Sequence, residues 1–219
     1  MCATCGCSGK ARLRLVPSGH DRDHAPGHAH HHGGEHDHGD DRTVVLQQKV
    51  LARNDELAGR LALAVIEGDQ ETALDADRIS SAGCQVVQVN TGVGCHLDAV
   101  MVADALHALD PRPGSVVVIE NVGNLVCPAL FDLGEAARIV LASVTEGADK
   151  PAKYPHMFSR ADVVLVSKTD LLPYVDFDVR RHAADVRQLS PGTRMLEVSA
   201  VTGSGMQAWY DWLQLSLPG

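Results

Sequence analysis

The 219-residue chain has little aromatic side chain, only 4%, so a core must come from Val, Leu, Ile and Ala. It has no excess of positive charge. The net charge of −9 argues against a partner bound through a phosphate backbone, so no nucleic acid is expected. No apolar run is long enough to cross a bilayer, and no export-type leader is recognisable, so the expected compartment is cytoplasmic with no membrane contact. A phosphate-cradling G-x-x-x-x-G-K-S/T is also lacking. The Gly-Lys pair at Gly9-Lys10 does not follow an apolar strand.

What is present falls into three zones. Residues 1–10 carry a Cys cluster. Residues 11–42 are rich in His, Gly and Asp, with almost no large apolar side chain after Val16. Such a stretch buries too little surface to offset its ordering entropy and is expected to be disordered. From residue 43 to 219 short β-branched runs alternate with helical periodicity. Expected strands are Leu61–Ile66, Gln85–Val89, Val116–Ile119, Ile139–Val144, Val163–Ser167 and Met195–Val198. Expected helices are Val44–Arg60, Glu71–Ala82, Leu97–Leu109, Val179–Leu189 and Gly205–Leu215. Apolar strands joined by helical crossovers imply an α/β domain, a mostly parallel sheet with helices on both faces. Ligands in such sheets sit beyond the carboxyl ends of the strands, where the motifs below fall.

Cys2, Cys5 and Cys7 set three thiolates beside the terminal amine, and Gly6 permits a tight turn. Three sulfurs and a nitrogen on a short peptide suit a nearly planar four-coordinate ion, Ni²⁺ or Cu²⁺, more than tetrahedral Zn²⁺. The competing reading is a set of oxidisable thiols. His20, His24, His28, His30, His31, His32, His36 and His38 follow, interrupted by Gly, Ala, Asp and Pro. That mixed spacing reads as a low-specificity metal reservoir rather than a purification tag.

Within the domain, Cys95-His96 opens an expected helix, whose N-terminus would lower the thiol pKa. Cys127 lies in the loop leaving another strand end. Together they offer three ligands, and water or a second protomer would supply the fourth. Singly, each reads as a buried Cys or a capping His. Cys84 reads as core.

Ser167-Lys168-Thr169-Asp170 follows an apolar strand in the form of a guanine-reading motif, with Ser where Asn is usual. An Asp there accepts the ring N–H and exocyclic amine of guanine and is left unpaired by adenine. Ser199-Ala200 is the expected companion offering backbone N–H groups. Alone, the tetrapeptide also reads as a solvated strand-to-helix loop. Asp69 and Glu120 sit at strand ends where carboxylates hold Mg²⁺, and Gly123 permits close approach to a γ-phosphate. Helix capping and turn formation are the competing readings.

These residues resemble the nickel-incorporation GTPases of hydrogenase maturation, the HypB family. The resemblance rests on Cys2-x-x-Cys5-Gly6-Cys7, the His stretch, Glu67-Gly68-Asp69-Gln70, Asn90-Thr91-Gly92-x-Gly94-Cys95-His96-Leu97-Asp98, Glu120-Asn121-Val122-Gly123-Asn124-Leu125-Val126-Cys127-Pro128, Phe131-Asp132-Leu133-Gly134-Glu135, Ser143-Val144-Thr145-Glu146-Gly147 and Asp149-Lys150-Pro151. It implies a P-loop GTPase-like fold, GTP and Mg²⁺ as ligands, and nucleotide-dependent homodimerisation. It further implies delivery of Ni²⁺ to a hydrogenase large-subunit precursor with another nickel-insertion accessory protein. By resemblance Asp69 and Glu120 are the Mg²⁺-side and catalytic residues, and Lys168 and Asp170 the base readers. Cys2, Cys5 and Cys7 form the N-terminal nickel site. Cys95, His96 and Cys127 form the domain site, for Ni²⁺ or Zn²⁺. The family's phosphate loop and a central strand belong between the Asn54-Asp55-Glu56 helix and Glu67-Gly68-Asp69, where this chain is too short for them. GTP hydrolysis is therefore expected to be impaired, and the sheet to lack its first strand. The alternative is a non-enzymatic nickel store in which the tail does the binding.

Overall fold

The computed structural model describes residues 12–16, 62–69, 74–92, 94–123 and 125–216. Cys2, Cys5, Cys7, the His stretch and the expected helix Val44–Arg60 lie outside the described residues.

Among the described residues seven strands form, β1 Arg12–Val16, β2 Leu63–Asp69, β3 Gln85–Asn90, β4 Val116–Glu120, β5 Ile139–Ser143, β6 Val163–Ser167 and β7 Arg194–Glu197. Helices α1 Leu74–Ser81, α2 Ala99–Leu109, α3 Lys150–Lys153, α4 Pro155–Ser159, α5 Val179–Leu189 and α6 Met206–Leu215 connect or follow them. Alternate faces of the apolar strands are covered by different helices. Ile66, Val87 and Val89 pack with Leu97, Val102 and Leu109. Val65 and Val86 face Ala76 of α1. In the second half Val164 and Val166 pack on Phe158 and Val186, while Val163 and Leu165 face Trp209 and Trp212. Each fully buried aliphatic side chain contributes about 1.5–3 kcal/mol.

Two results differ from the sequence reading. The first concerns the stretch 11–42, expected to be disordered: Arg12–Val16 is instead an edge strand, antiparallel to β3, with Arg12 opposite Asn90 and Val16 opposite Val86. Of its side chains Val16 is buried, whereas Leu13 and Leu15, on the other face of the strand, are 41% and 60% exposed. The second is that the strands form two sheets, ordered β1-β3-β2-β4 and β5-β6-β7. All pairings except β1–β3 are parallel. No strand among the described residues joins β4 to β5, so each ends its sheet. The apolar runs of both strands read as central strands, yet Val118 is 42% exposed and Leu141 62%.

Helix ends explain the smaller shifts. Asp98 caps α2, its carboxylate accepting from Met101 N at 2.8 Å, so the helix starts at Ala99 and not at Leu97. Asp178 caps α5 the same way. The short helices α3 and α4 each carry a proline at the start, where its missing N–H costs nothing.

Candidate metal centre and nucleotide face

The loop between β3 and α2 is folded by its own polar groups. Asn90 Oδ1 accepts from Gly92 N at 2.9 Å, and Gly92 takes a positive φ of 59°. Thr91 donates through its hydroxyl to Gly94 O at 2.8 Å and through its N–H to Asp69 O at 2.8 Å. Leu97, fully buried, lies against the bare Cα of Gly68, where a Cβ would come within 2.9 Å of its side chain. The loop is thus seated on the end of β2, with Cys95 and His96 at its crest.

Cys127 approaches from the segment after β4, immediately before the short 3₁₀ turn Pro128–Leu130. Its Sγ is 2.8 Å from Cys95 Sγ, and Cys95 Sγ is 3.5 Å from His96 Nδ1. The ligand atoms of Cys95, His96 and Cys127 all lie within 4.8 Å of one another, and among the described residues no other group of three His, Cys, Asp or Glu does so. Two sulfurs and an imidazole form a soft-to-borderline donor set that fits Ni²⁺ or Zn²⁺, with one position open for exchange. Cys95 does not sit in the first turn of a helix, because α2 begins at Ala99. The expected helix-terminus effect on its thiol therefore has no structural basis.

The acidic residues lie beside this centre in sequence but do not converge on it. Asp69 ends β2 and Glu120 ends β4, with Glu67 directly opposite Glu120 in register. Glu67 is only 3% exposed, and its Oε2 has no hydrogen-bond partner in the structure. Burial, reinforced by the charges of Asp69, Glu120 and Asp75, pushes its carboxyl up to about 7. Burial and then Asp75 raise Glu120 as well. Gly123 faces open space: a Cβ there would meet nothing within 4 Å.

On the second sheet, Lys168 follows β6 in the left-handed region at φ 59°, a conformation uncommon for a side-chain-bearing residue. Asp170 Oδ1 accepts from Ser199 Oγ at 2.6 Å. Ser199 is fully buried, and its hydroxyl also accepts from Thr202 N at 3.1 Å. Its own N–H donates to Ser204 O at 2.9 Å and so is already used within the loop. Ser199 acts on Asp170 through its hydroxyl, then, rather than by offering its N–H to a base. Ala200, next in the chain, is exposed.

Comparison with known proteins decides the family. The CobW/HypB/UreG nucleotide-binding domain matches residues 39–197. The chain belongs to the HypB family. It is 51% identical over 178 residues to the hydrogenase maturation factor HypB of Rhizobium leguminosarum bv. viciae, covering 81% of this chain and 58% of that protein. Against HypB of Azotobacter vinelandii it is 55% identical over 166 residues, covering 75% and 55%. The chain thus spans little more than half the length of these two relatives. A crystal structure of Helicobacter pylori HypB in complex with nickel matches with a TM-score of 0.70 and 36% identity, covering 78% of this chain and 81% of that one.

For a HypB-family domain, two neighbours of the centre carry no functional role in the sequence reading. Asn121 Oδ1 accepts from both Leu97 N and Val122 N at 2.9 Å, tying the Cys95-His96 loop to the end of β4. Phe131 stacks on His96, ring centroids 4.0 Å apart and 12° from parallel. Glu67, buried on β2, appears in the sequence reading only within the block Glu67-Gly68-Asp69-Gln70, with no role of its own.

Proposed function

We propose that this chain is a nickel-handling metallochaperone, capturing Ni²⁺ for insertion into the large-subunit precursor of a nickel–iron hydrogenase with a second accessory protein as partner. The observation that carries this reading is the convergence of Cys95, His96 and Cys127 at the crest of a nucleotide-binding-type sheet. The relatives named as hydrogenase maturation factors and the nickel-bound Helicobacter pylori structure support it. Nickel here is cargo. Two thiolates and an imidazole hold it, and the fourth position exchanges with water or with a ligand from a second protomer in a homodimer. Zn²⁺ fits the same donors. Cys2, Cys5 and Cys7 form the second capture site, and the His stretch the reservoir.

GTP and Mg²⁺ belong on the same edge, with Asp69 and Glu120 on the Mg²⁺ side, Gly123 at the γ-phosphate and Lys168, Asp170 and Ala200 at the base. Asn121 joins the Glu120–Gly123 segment to the Cys95-His96 loop, so a change at the phosphate end moves metal ligands. Linkage then requires the metal to alter nucleotide affinity by the same factor. With no phosphate-loop motif in the sequence, hydrolysis is impaired and this coupling weak. In a mant-GTP titration with and without Ni²⁺, weak and nickel-insensitive binding is expected; tight, nickel-sensitive binding overturns the impairment.

Calorimetric Ni²⁺ titration of the reduced full-length chain tests the main reading. A triple Cys2→Ser, Cys5→Ser, Cys7→Ser variant is expected to keep one domain site, which Cys95→Ser with Cys127→Ser abolishes. A mere store, which binds through its tail, would show no site that depends on Cys95 and Cys127. Truncating residues 1–42 is the poorer test, because Arg12–Val16 is a strand of the sheet.

A further inference from the structure

Phe131 is placed by groups rooted in the second sheet. Arg138, immediately before β5, donates through Nη2 to Phe131 O at 3.0 Å. Its guanidinium is fixed in turn by Glu135, through Nε at 2.8 Å and through a second, very short contact from Nη2. Glu135 Oε2 accepts from Leu133 N at 2.8 Å, and Arg138 N donates to Asp162 Oδ2 at 2.7 Å. Arg160, at the end of α4, donates through Nη1 to Ala129 O at 3.1 Å. Two arginines therefore grip the backbone on alternate residues just after Cys127. The second of these residues, Phe131, lies flat on His96, which is only 7% exposed.

We propose that Phe131 is a positioning residue for the metal centre, holding the His96 ring against rotation and away from water, and that Arg138 acts through Phe131. An imidazole ligand free to turn about its side-chain torsions loses conformational freedom on binding a metal; a ring already stacked has lost it beforehand. Outer partners that orient a ligating His are worth about 10–100-fold in metal affinity. The inference rests on the metal-site reading above.

The test uses the full-length chain with Cys2→Ser, Cys5→Ser and Cys7→Ser as parent, titrated with Co²⁺ and followed by its sulfur-to-cobalt charge-transfer absorbance. That absorbance reports thiolate ligation, so the His stretch does not contribute. Phe131→Leu keeps apolar bulk without a ring face and is expected to weaken Co²⁺ binding about ten-fold and shift the d–d bands. Phe131→Tyr should restore both, and Arg138→Gln should fall between. In a His96→Ala background Phe131→Leu should have no further effect, whereas a purely structural Phe131 would lower affinity equally in both backgrounds. Equal affinity and spectra for Phe131→Leu and the parent, or an equal loss without His96, overturns the inference alone. No charge-transfer band in the parent overturns the metal site itself.

Discussion

The hydroxyl of Ser199 reaches Asp170 Oδ1 at 2.6 Å, joining the loop beyond β7 to the loop beyond β6. That hydroxyl is at once donor to a carboxylate and acceptor from Thr202 N, in a fully buried position. The carboxylate that would read a guanine edge is therefore aimed from the neighbouring strand end.

Ser199→Ala removes both bonds and leaves Thr202 N without this acceptor. A loss of about 1–3 kcal/mol in urea unfolding is expected. The preference for GDP over ADP in displacing mant-GDP should shrink several-fold, and Asp170→Asn should abolish it. An unchanged nucleotide preference in both variants would remove Asp170 from base reading.

Glu67 makes stability depend on pH in an unusual direction. Its folded pKa, about 7, lies above the ordinary value of 4.5, so between those limits the folded chain binds more protons than the unfolded one. Stability tied to this group is fully present below pH 4.5 and is lost as pH rises through 7. Glu67→Gln keeps the shape without the charge. In metal-free urea titrations it should differ little from the parent at pH 5 and exceed it at pH 8 by up to about 3 kcal/mol. A difference that does not grow with pH would mean Glu67 is neutralised some other way.

The legible parts of the fold are those fixed by local signals. The run Val163–Ser167 and the Asp178-capped helix Val179–Leu189 appear with the boundaries their residues imply. β1 was not legible because its partner β3 lies far along the chain, and a five-residue Arg-Leu alternation carries no information about where it docks. Nor was the division into two sheets. Apolar runs mark a strand as buried but do not say which edges pair, and the composition of β4 and β5 matches central strands. At the site, Cys95, His96 and Cys127 stood out by residue type, and the structure brings them together. Phe131 is visible only as part of the block Phe131-Asp132-Leu133-Gly134-Glu135, without a role, because stacking on a histidine leaves no spacing signature.

The glycines around the site separate steric need from chemical role. A Cβ at Gly205 would lie 1.8 Å from Glu197 O at a φ of 70°, so Gly205→Ala should cost at least about 2 kcal/mol. Gly68→Ala would press on buried Leu97, costing about 1–3 kcal/mol and displacing the loop that carries Cys95 and His96. Gly123→Ala meets nothing within 4 Å and should leave thermal stability within about 0.5 kcal/mol of the parent. Melting curves and Co²⁺ titration together check the series: only Gly68→Ala should change cobalt affinity.

Metal occupancy should be visible in thiol chemistry. Cys84 is half-buried, and burial pushes its thiol above the ordinary range, so little thiolate is present there at neutral pH. Cys95 and Cys127 face one another at the centre, and a bound ion would hold both as ligands. Iodoacetamide at pH 7.5 with peptide mapping by mass spectrometry is expected to modify Cys95 and Cys127 readily after chelation, and slowly with Ni²⁺ or Zn²⁺ in excess. Cys84 should lag in both conditions and speed up as the pH is raised. If metal leaves the Cys95 and Cys127 rates unchanged, these sulfurs are not its ligands; if Cys84 reacts first, its burial does not control its reactivity.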